Sequence, residues 1–299
     1  MIPERYQRYE NILTVACVNF NTAWGDKATN LKKMKASIEE AVALGSNLII
    51  FPELALSGYE CGDECSRDKK PCALHKELAE PIPGPSTNEI SELSKKYGAY
   101  IVFGMPEQDK TDEEARYIAA PLIGPEGIIG VYRKLHLGSA PLMTENICFK
   151  PGNELPVFET KYGPIGILIC YDFWRHPELS RILTLKGARL IVNITASTSG
   201  PGKEQFMTVI SMARATENFV YVASANLVGK DKTKSFYGRS TITGPVTPRT
   251  MPVWVEAGNT EEIVSAALNF ESLHRFDQIN QWKKERRSEL INREFLKLE

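Results

Sequence analysis

Three apolar runs in this chain each end on a residue that can do chemistry. "NLIIFPEL" (47–54) carries Glu53, "GIIGVYRKLHL" (127–137) carries Lys134, and "GPIGILICYD" (163–172) carries Cys170. A carboxylate, an ammonium and a thiol together suffice for acyl transfer. A free thiol has a pKa of about 8.5, so it needs a base or a cation beside it to become an efficient nucleophile at neutral pH. Glu53 can take the proton, while Lys134 can favour the thiolate and then the oxyanion of a tetrahedral intermediate. The backbone N–H of Tyr171 is a natural further donor to that oxyanion. Attack on an amide carbonyl would give a thioester and release ammonia or an amine, after which water activated by the same carboxylate would free the acid.

Each residue also has a plainer reading. Cysteine at the end of an apolar run packs as core, a strand-end glutamate caps the next segment, and a loop lysine sits in a solvated salt bridge. The residues alone leave both readings open, and the elements that carry them matter. Pro52 cannot donate to a central ladder, so Glu53 is expected just past a strand end. Ligands bind at the carboxyl ends of strands in α/β sheets. If the three strands lie side by side, the three groups converge.

Short runs rich in Val and Ile predict strands at 12–20, 47–52, 99–106, 188–197 and 219–226. Helical patterns lie between them: "NLKKMKASIEEAVALG", "STNEISELSKKYG", "HPELSRILTLKG" and "KEQFMTVISMARATE", three of them closing on Gly. This alternation means a sheet covered by helices. Residues 116–170 change to strands separated by turns, which predicts some antiparallel pairing. With no repeat, low-complexity segment or clean linker, residues 1–299 are expected to form one domain. Its core is about 11–270 and its polar helical tail 271–299, whose run "KKERRSELINREF" reads as a solvated helix face.

The 299 residues are 42% hydrophobic and 24% charged with a formal net charge of −1, which gives no electrostatic footprint for nucleic acid or a membrane. The N-terminal stretch has no small-residue cleavage site and no run of about 18 apolar residues occurs, so a cytoplasmic protein is expected. Six cysteines without secretory features read as reduced thiols.

The wording of the segments resembles the nitrilase superfamily of carbon–nitrogen hydrolases. "FPELALSGYE" (51–60) is similar to that family's glutamate motif, "YRKLHL" (132–137) to its lysine motif, and "GILICYDFWRHPELSR" to its nucleophile motif. "EPIPGPST" (80–87), "ENICFKPGNE" (145–154), "GARLIVNITAS" (187–197), "ARATEN" (213–218) and "YGRSTITGP" (237–245) also have counterparts. The resemblance implies an α/β fold of four layers, αββα, in a single domain. It implies a Glu53–Lys134–Cys170 triad, with Glu145 as a second glutamate near the lysine. It also implies substrate contacts from Tyr171, Trp174, Arg175 and Asn193, and a homodimer or larger homo-oligomer whose tail reaches the interface.

Rival chemistries are weaker. His136 and His176 lie close in sequence to Lys134 and Cys170, but a Cys–His pair would leave Glu53 and Lys134 without a reason. Cys61, Cys65, Cys72 and His75 offer four potential metal ligands, yet lack a tight C-x-x-C pair or a matching second half. They are read as an irregular loop near the pocket mouth, and no metal or organic cofactor is expected. Asp172 is expected to bond backbone at the elbow after Cys170.

Tyr171-Asp172 after the nucleophile resembles the amidase and carbamoylase branches, which favours a small linear amide as substrate. The alternatives are an N-carbamoyl compound or a nitrile, and, outside enzymes, a catalytically silent binding or assembly module. The Pro-Glu pair of "CYDFWRHPE" comes one residue later than the usual family spacing. Arg175 is a possible anchor for a substrate carboxylate, and Trp174 a possible wall of an apolar or cationic pocket.

Overall fold

The structure, a computed structural model, describes residues 3–139, 143–245, 253–279 and 281–298. One sheet takes the first six strands and the last: β1 (Ile12–Asn19), β2 (Leu48–Ile50), β3 (Tyr100–Val102), β4 (Met105–Gln108), β5 (Arg116–Gly124), β6 (Gly127–Arg133) and β15 (Glu262–Asn269). Its order is β15-β1-β2-β3-β5-β4, with β6 also on β5. The second sheet takes β7 (Val157–Phe158), β8 (Ile165–Ile169), β9 (Leu190–Thr195), β10 (Tyr221–Asn226), β13 (Thr241–Thr243) and β14 (Val253–Glu256), in the order β14-β13-β10-β9-β8-β7. A separate hairpin pairs β11 (Val228–Lys230) with β12 (Ser235–Tyr237).

The sheets pack face to face, β1 and β2 against β10. Helices α1 (Lys27–Ala43) and α4 (Pro85–Tyr97) cover the first sheet, and α7 (Pro177–Leu185) and α8 (Phe206–Asn218) the second. These are the four αββα layers. Strands covered on both faces read as continuous apolar runs rather than alternating ones, and β2, β8, β9 and β10 are buried at every position.

Local chemistry sets the helix boundaries. Asp26 caps α1 through Thr29 N–H at 3.0 Å, while Pro85 opens α4 and Gly98 closes it at φ +65°. Antiparallel pairing does occur within 116–170, in β5–β6 and β7–β8.

The structure differs from expectation in three places. Residues 99–106 form two strands, β3 and β4, broken at Gly104. A Cβ there would lie 2.2 Å from Leu54 N and 2.6 Å from Glu53 Cα, so only glycine lets the chain pass this close to the glutamate segment. The stretch from Cys61 to His75, expected as an irregular loop, holds the short helix α2 (Asp63–Asp68) and the start of a second, α3 (Ala73–Leu78). Two acidic residues in the first turn of α2 suit its positive end. Finally, the tail starts as α9 (Phe270–Ile279), whose Leu273 and His274 are buried, the latter stacked on Tyr6. Its remainder, α10 (Trp282–Glu285) and α11 (Ser288–Phe295), is largely exposed. Among the described residues, no helix is long and apolar enough to cross a membrane.

Candidate active site

The three reactive strand ends do not lie side by side. β2 and β6 share a sheet but are separated by β3 and β5, and β8 belongs to the other sheet. Two antiparallel steps, β3–β5 and β5–β6, restore β6 to the direction of β2, so Glu53 and Lys134 leave the same edge of their sheet. Cys170 meets them from the end of the facing sheet.

Lys134, Glu53 and Glu145 form one buried ionic cluster. Lys134 Nζ lies 2.7 Å from Glu53 Oε1 and 2.7 Å from Glu145 Oε2. Glu145 also accepts Tyr59 Oη–H at 2.7 Å and Gly138 N–H at 2.8 Å, and Ala196 N–H donates to Glu53 Oε2 at 3.1 Å. The lysine backbone is held on both sides, by Ile118 O at 2.9 Å and Gly152 N–H at 2.8 Å.

Cys170 joins β8 to the short helix α6 (Tyr171–Arg175) with φ +53° and ψ −101°. A non-glycine residue in this region is strained, and such strain persists only where surroundings hold it. Here its N–H donates to Ile194 O, and its carbonyl accepts from Phe173 and Trp174 N–H. Arg214 fastens the other end of α6 by donating to Phe173 O and Trp174 O, each at 3.2 Å. The buried thiol lies close enough to Glu53 and Lys134 to feel both charges, and the N–H of Tyr171, first in α6, is a donor the helix itself cannot satisfy.

Burial governs the protonation states. It raises the Glu53 carboxyl to about 7 despite the pull of Lys134. It pushes the Cys170 thiol well up, as does the charge of Glu53, with Lys134 offsetting only part. Burial alone would lower Lys134, but Glu145 and Glu53 hold it well above an ordinary lysine. The resting pair is therefore a neutral thiol beside a carboxylate whose pKa suits a general base at neutral pH.

A cavity of about 280 Å³ is lined by Leu54, Tyr59, Met143, Glu145, Phe149 and Lys234 among others. Glu145 both lines it and bonds Lys134, so the cavity abuts the cluster. Its volume sits at the small end of ligand sites.

The substrate-contact residues expected from sequence are scattered. Tyr171 is half-buried at the start of α6, and Trp174 is buried against Phe206. Arg175 is exposed, and Asn193 lies inside β9 donating to Ser224 Oγ at 3.1 Å. None of these four lines the cavity. His136 and His176 do come together, their rings stacked at 3.5 Å. Asp172 does not bond at its own elbow. It reaches across to accept from Tyr132 Oη–H, Leu135 N–H and His136 N–H at 2.7, 3.1 and 2.8 Å, and so fixes the segment after Lys134.

Sequence reasoning missed Tyr59, Arg214 and Lys234. Tyr59 and Arg214 fall within motifs quoted above, but nothing in their spacing announces which partner each would find. It also missed that Cys148, from the helix α5 (Glu145–Cys148), joins Cys61, Cys65 and Cys72.

A family model described as carbon–nitrogen hydrolase matches residues 14–278. The chain is similar to a probable nitrilase of Schizosaccharomyces pombe, 37% identical over 235 residues that cover 77% of this chain and 80% of that protein. It is similar to an omega-amidase of Danio rerio, 33% identical over 281 residues, covering 89% and 92%. Among solved structures it is similar to a Saccharomyces cerevisiae member of branch 10 of the nitrilase superfamily, at 26% identity, a TM-score of 0.77 and coverage of 91% and 96%.

Proposed function

The chain belongs to the carbon–nitrogen hydrolase family and is an amidase-like hydrolase, and we propose that it cleaves a small linear amide through a thioester on Cys170. The observation that carries this reading is the buried Glu53–Lys134 ion pair, whose two charges both act on the buried Cys170 thiol.

Glu53 takes the thiol proton as sulfur attacks the carbonyl carbon. Lys134 and the Tyr171 N–H stabilise the oxyanion that forms, as preorganised donors in a dry site do. The protonated Glu53 then gives its proton to the departing nitrogen, and ammonia leaves. Water, deprotonated by Glu53, attacks the thioester, the acid departs, and the thiol regains its proton. Glu145 is a positioning residue: it holds the ammonium between two carboxylates and forms part of the cavity wall.

The small cavity favours a short acyl group. Lys234 on its lining, where Glu60 and Asp63 also lie, offers a cation for a carboxylate at the far end of the substrate, and the exposed Arg175 does not line the cavity. This supports the amide of a small dicarboxylic acid, in keeping with the omega-amidase relative. A homo-oligomer accords with the apolar Phe295, Leu296 and Leu298 exposed on the tail, and sedimentation of the full chain as a monomer would reject it.

A panel of amides, N-carbamoyl amino acids and nitriles, assayed for ammonia, tests the reaction. Ammonia alone from ω-amides is expected, together with an acyl adduct in intact-mass spectra that Cys170→Ala lacks. Carbon dioxide released with ammonia would move the assignment to a carbamoyl substrate, turnover of nitriles alone to a nitrilase, and no adduct with any compound to a silent binding module.

A further inference from the structure

Away from the triad, the Sγ atoms of Cys61, Cys65, Cys72 and Cys148 all lie within 4.8 Å of one another. Cys65 and Cys148 sulfurs are 3.3 Å apart, and Cys61 and Cys148 sulfurs 3.5 Å. Core packing gives no reason for four sulfurs to meet at one point. A tetrahedral zinc thiolate does: Zn–S bonds of about 2.3 Å place the sulfurs about 3.8 Å from one another. A disulfide pairs sulfurs two at a time at about 2.05 Å, whereas Cys148 here approaches two others, at 3.3 and 3.5 Å. An iron–sulfur cluster spreads its cysteines around an inorganic core wider than one metal ion.

The surroundings match the same chemistry. Cys65, Cys72 and Cys148 are buried and Cys61 partly so. Gly62 N–H donates to Cys72 Sγ at 3.4 Å. The buried His75 has Nδ1 3.7 Å from Cys61 Sγ and Nε2 3.1 Å from Gly58 O, the outer-shell arrangement that orients a ligand. Thiolates with no carboxylate in the set select a soft or borderline ion over calcium or magnesium.

We propose that Cys61, Cys65, Cys72 and Cys148 form a closed tetrahedral Zn(II) site. It replaces the sequence-based expectation of no metal. Coordination sends the thiol protons to solvent, and four protein ligands leave no open position, so the site is structural. Its placement gives it a task. Cys61 lies two residues beyond Tyr59, and Cys148 three residues beyond Glu145, the pair joined by a 2.7 Å hydrogen bond next to Lys134. The ion would staple the loop that follows Glu53 to the helix that carries Glu145.

Elemental analysis of the full-length protein purified under reducing conditions should find about one zinc per chain. Cobalt exchanged into it should show the absorption of a tetrahedral thiolate complex. Cys65→Ser and Cys148→Ser should lose the metal, His75→Gln should weaken zinc binding about 10–100-fold, and Cys170→Ala should keep it. Stripping the wild type with a chelator should lower its melting temperature, and zinc should restore it. These wild-type readings stand even where a ligand variant is insoluble. Metal-free protein that fails to take up added zinc, a disulfide within the cluster, stoichiometric iron, or a melting temperature indifferent to the chelator would each overturn the proposal. None of these outcomes depends on which amide is the substrate.

Discussion

Cys170 and Cys148 are both buried thiols, and their neighbours assign them opposite tasks. Cys170 stands at a strained elbow under the charges of a paired carboxylate and ammonium, the setting in which we propose that it forms a thioester. Cys148 stands among three other sulfurs, with the His75 imidazole beside Cys61 and no carboxylate among the four, a set suited to holding a soft ion. The four-residue helix α5 connects the two centres, with Glu145 at one end on Lys134 and Cys148 at the other in the sulfur cluster. The contrast teaches that a cysteine's chemistry is set by what the fold brings within about 4 Å, since the side chain itself is the same in both places.

The contrast is broken most directly at Cys170. Cys170→Ala should cost about 10⁴-fold or more in kcat with the melting temperature nearly unchanged, whereas Cys65→Ser should act chiefly on stability; ammonia release and calorimetry separate the two. Equal losses of activity from both variants would erase the distinction.

Lys134→Ala is next. It removes an oxyanion donor, worth about 10²–10³-fold in kcat, and leaves two buried carboxylates unpaired, costing about 3–5 kcal/mol of stability. Unaltered denaturant unfolding would show that the cluster is not held by this amine. Gly104→Ala tests the backbone beneath Glu53. Its Cβ collides with Leu54 N, which should cost about 1–3 kcal/mol, and a displacement near 1 Å of the base should lower turnover about 10²-fold.

The smallest effect is graded. Burial raises Glu53 to about 7, and it must be deprotonated to accept the thiol proton. So kcat/KM should fall about tenfold per pH unit below that value. A profile flat through that region would remove Glu53 as the base.

Much of this was legible in the sequence. The strands and four main helices announce themselves through apolar runs and Gly or Pro boundaries, and Glu53, Lys134 and Cys170 through their position at the ends of such runs. The side-by-side placement that would have brought them together is not how they meet, because neighbourhood in a sheet is a long-range property: nothing local says that β8 joins the opposite sheet. The sulfur cluster was illegible for a related reason. Cys61 and Cys65 are close enough to be ligands of one ion, but no second pair follows them in sequence, and the fourth member lies 76 residues beyond Cys72.

Taken by itself, the sequence determined which groups are present and which local elements hold them, because periodicity, capping and turn chemistry act over a few residues. Only the tertiary structure decided that two carboxylates share one ammonium, that Asp172 steadies the lysine segment, and that four thiols meet. Those contacts join residues up to 87 positions apart, and their protonation depends on exclusion of water, which exists only once both sheets have closed on each other.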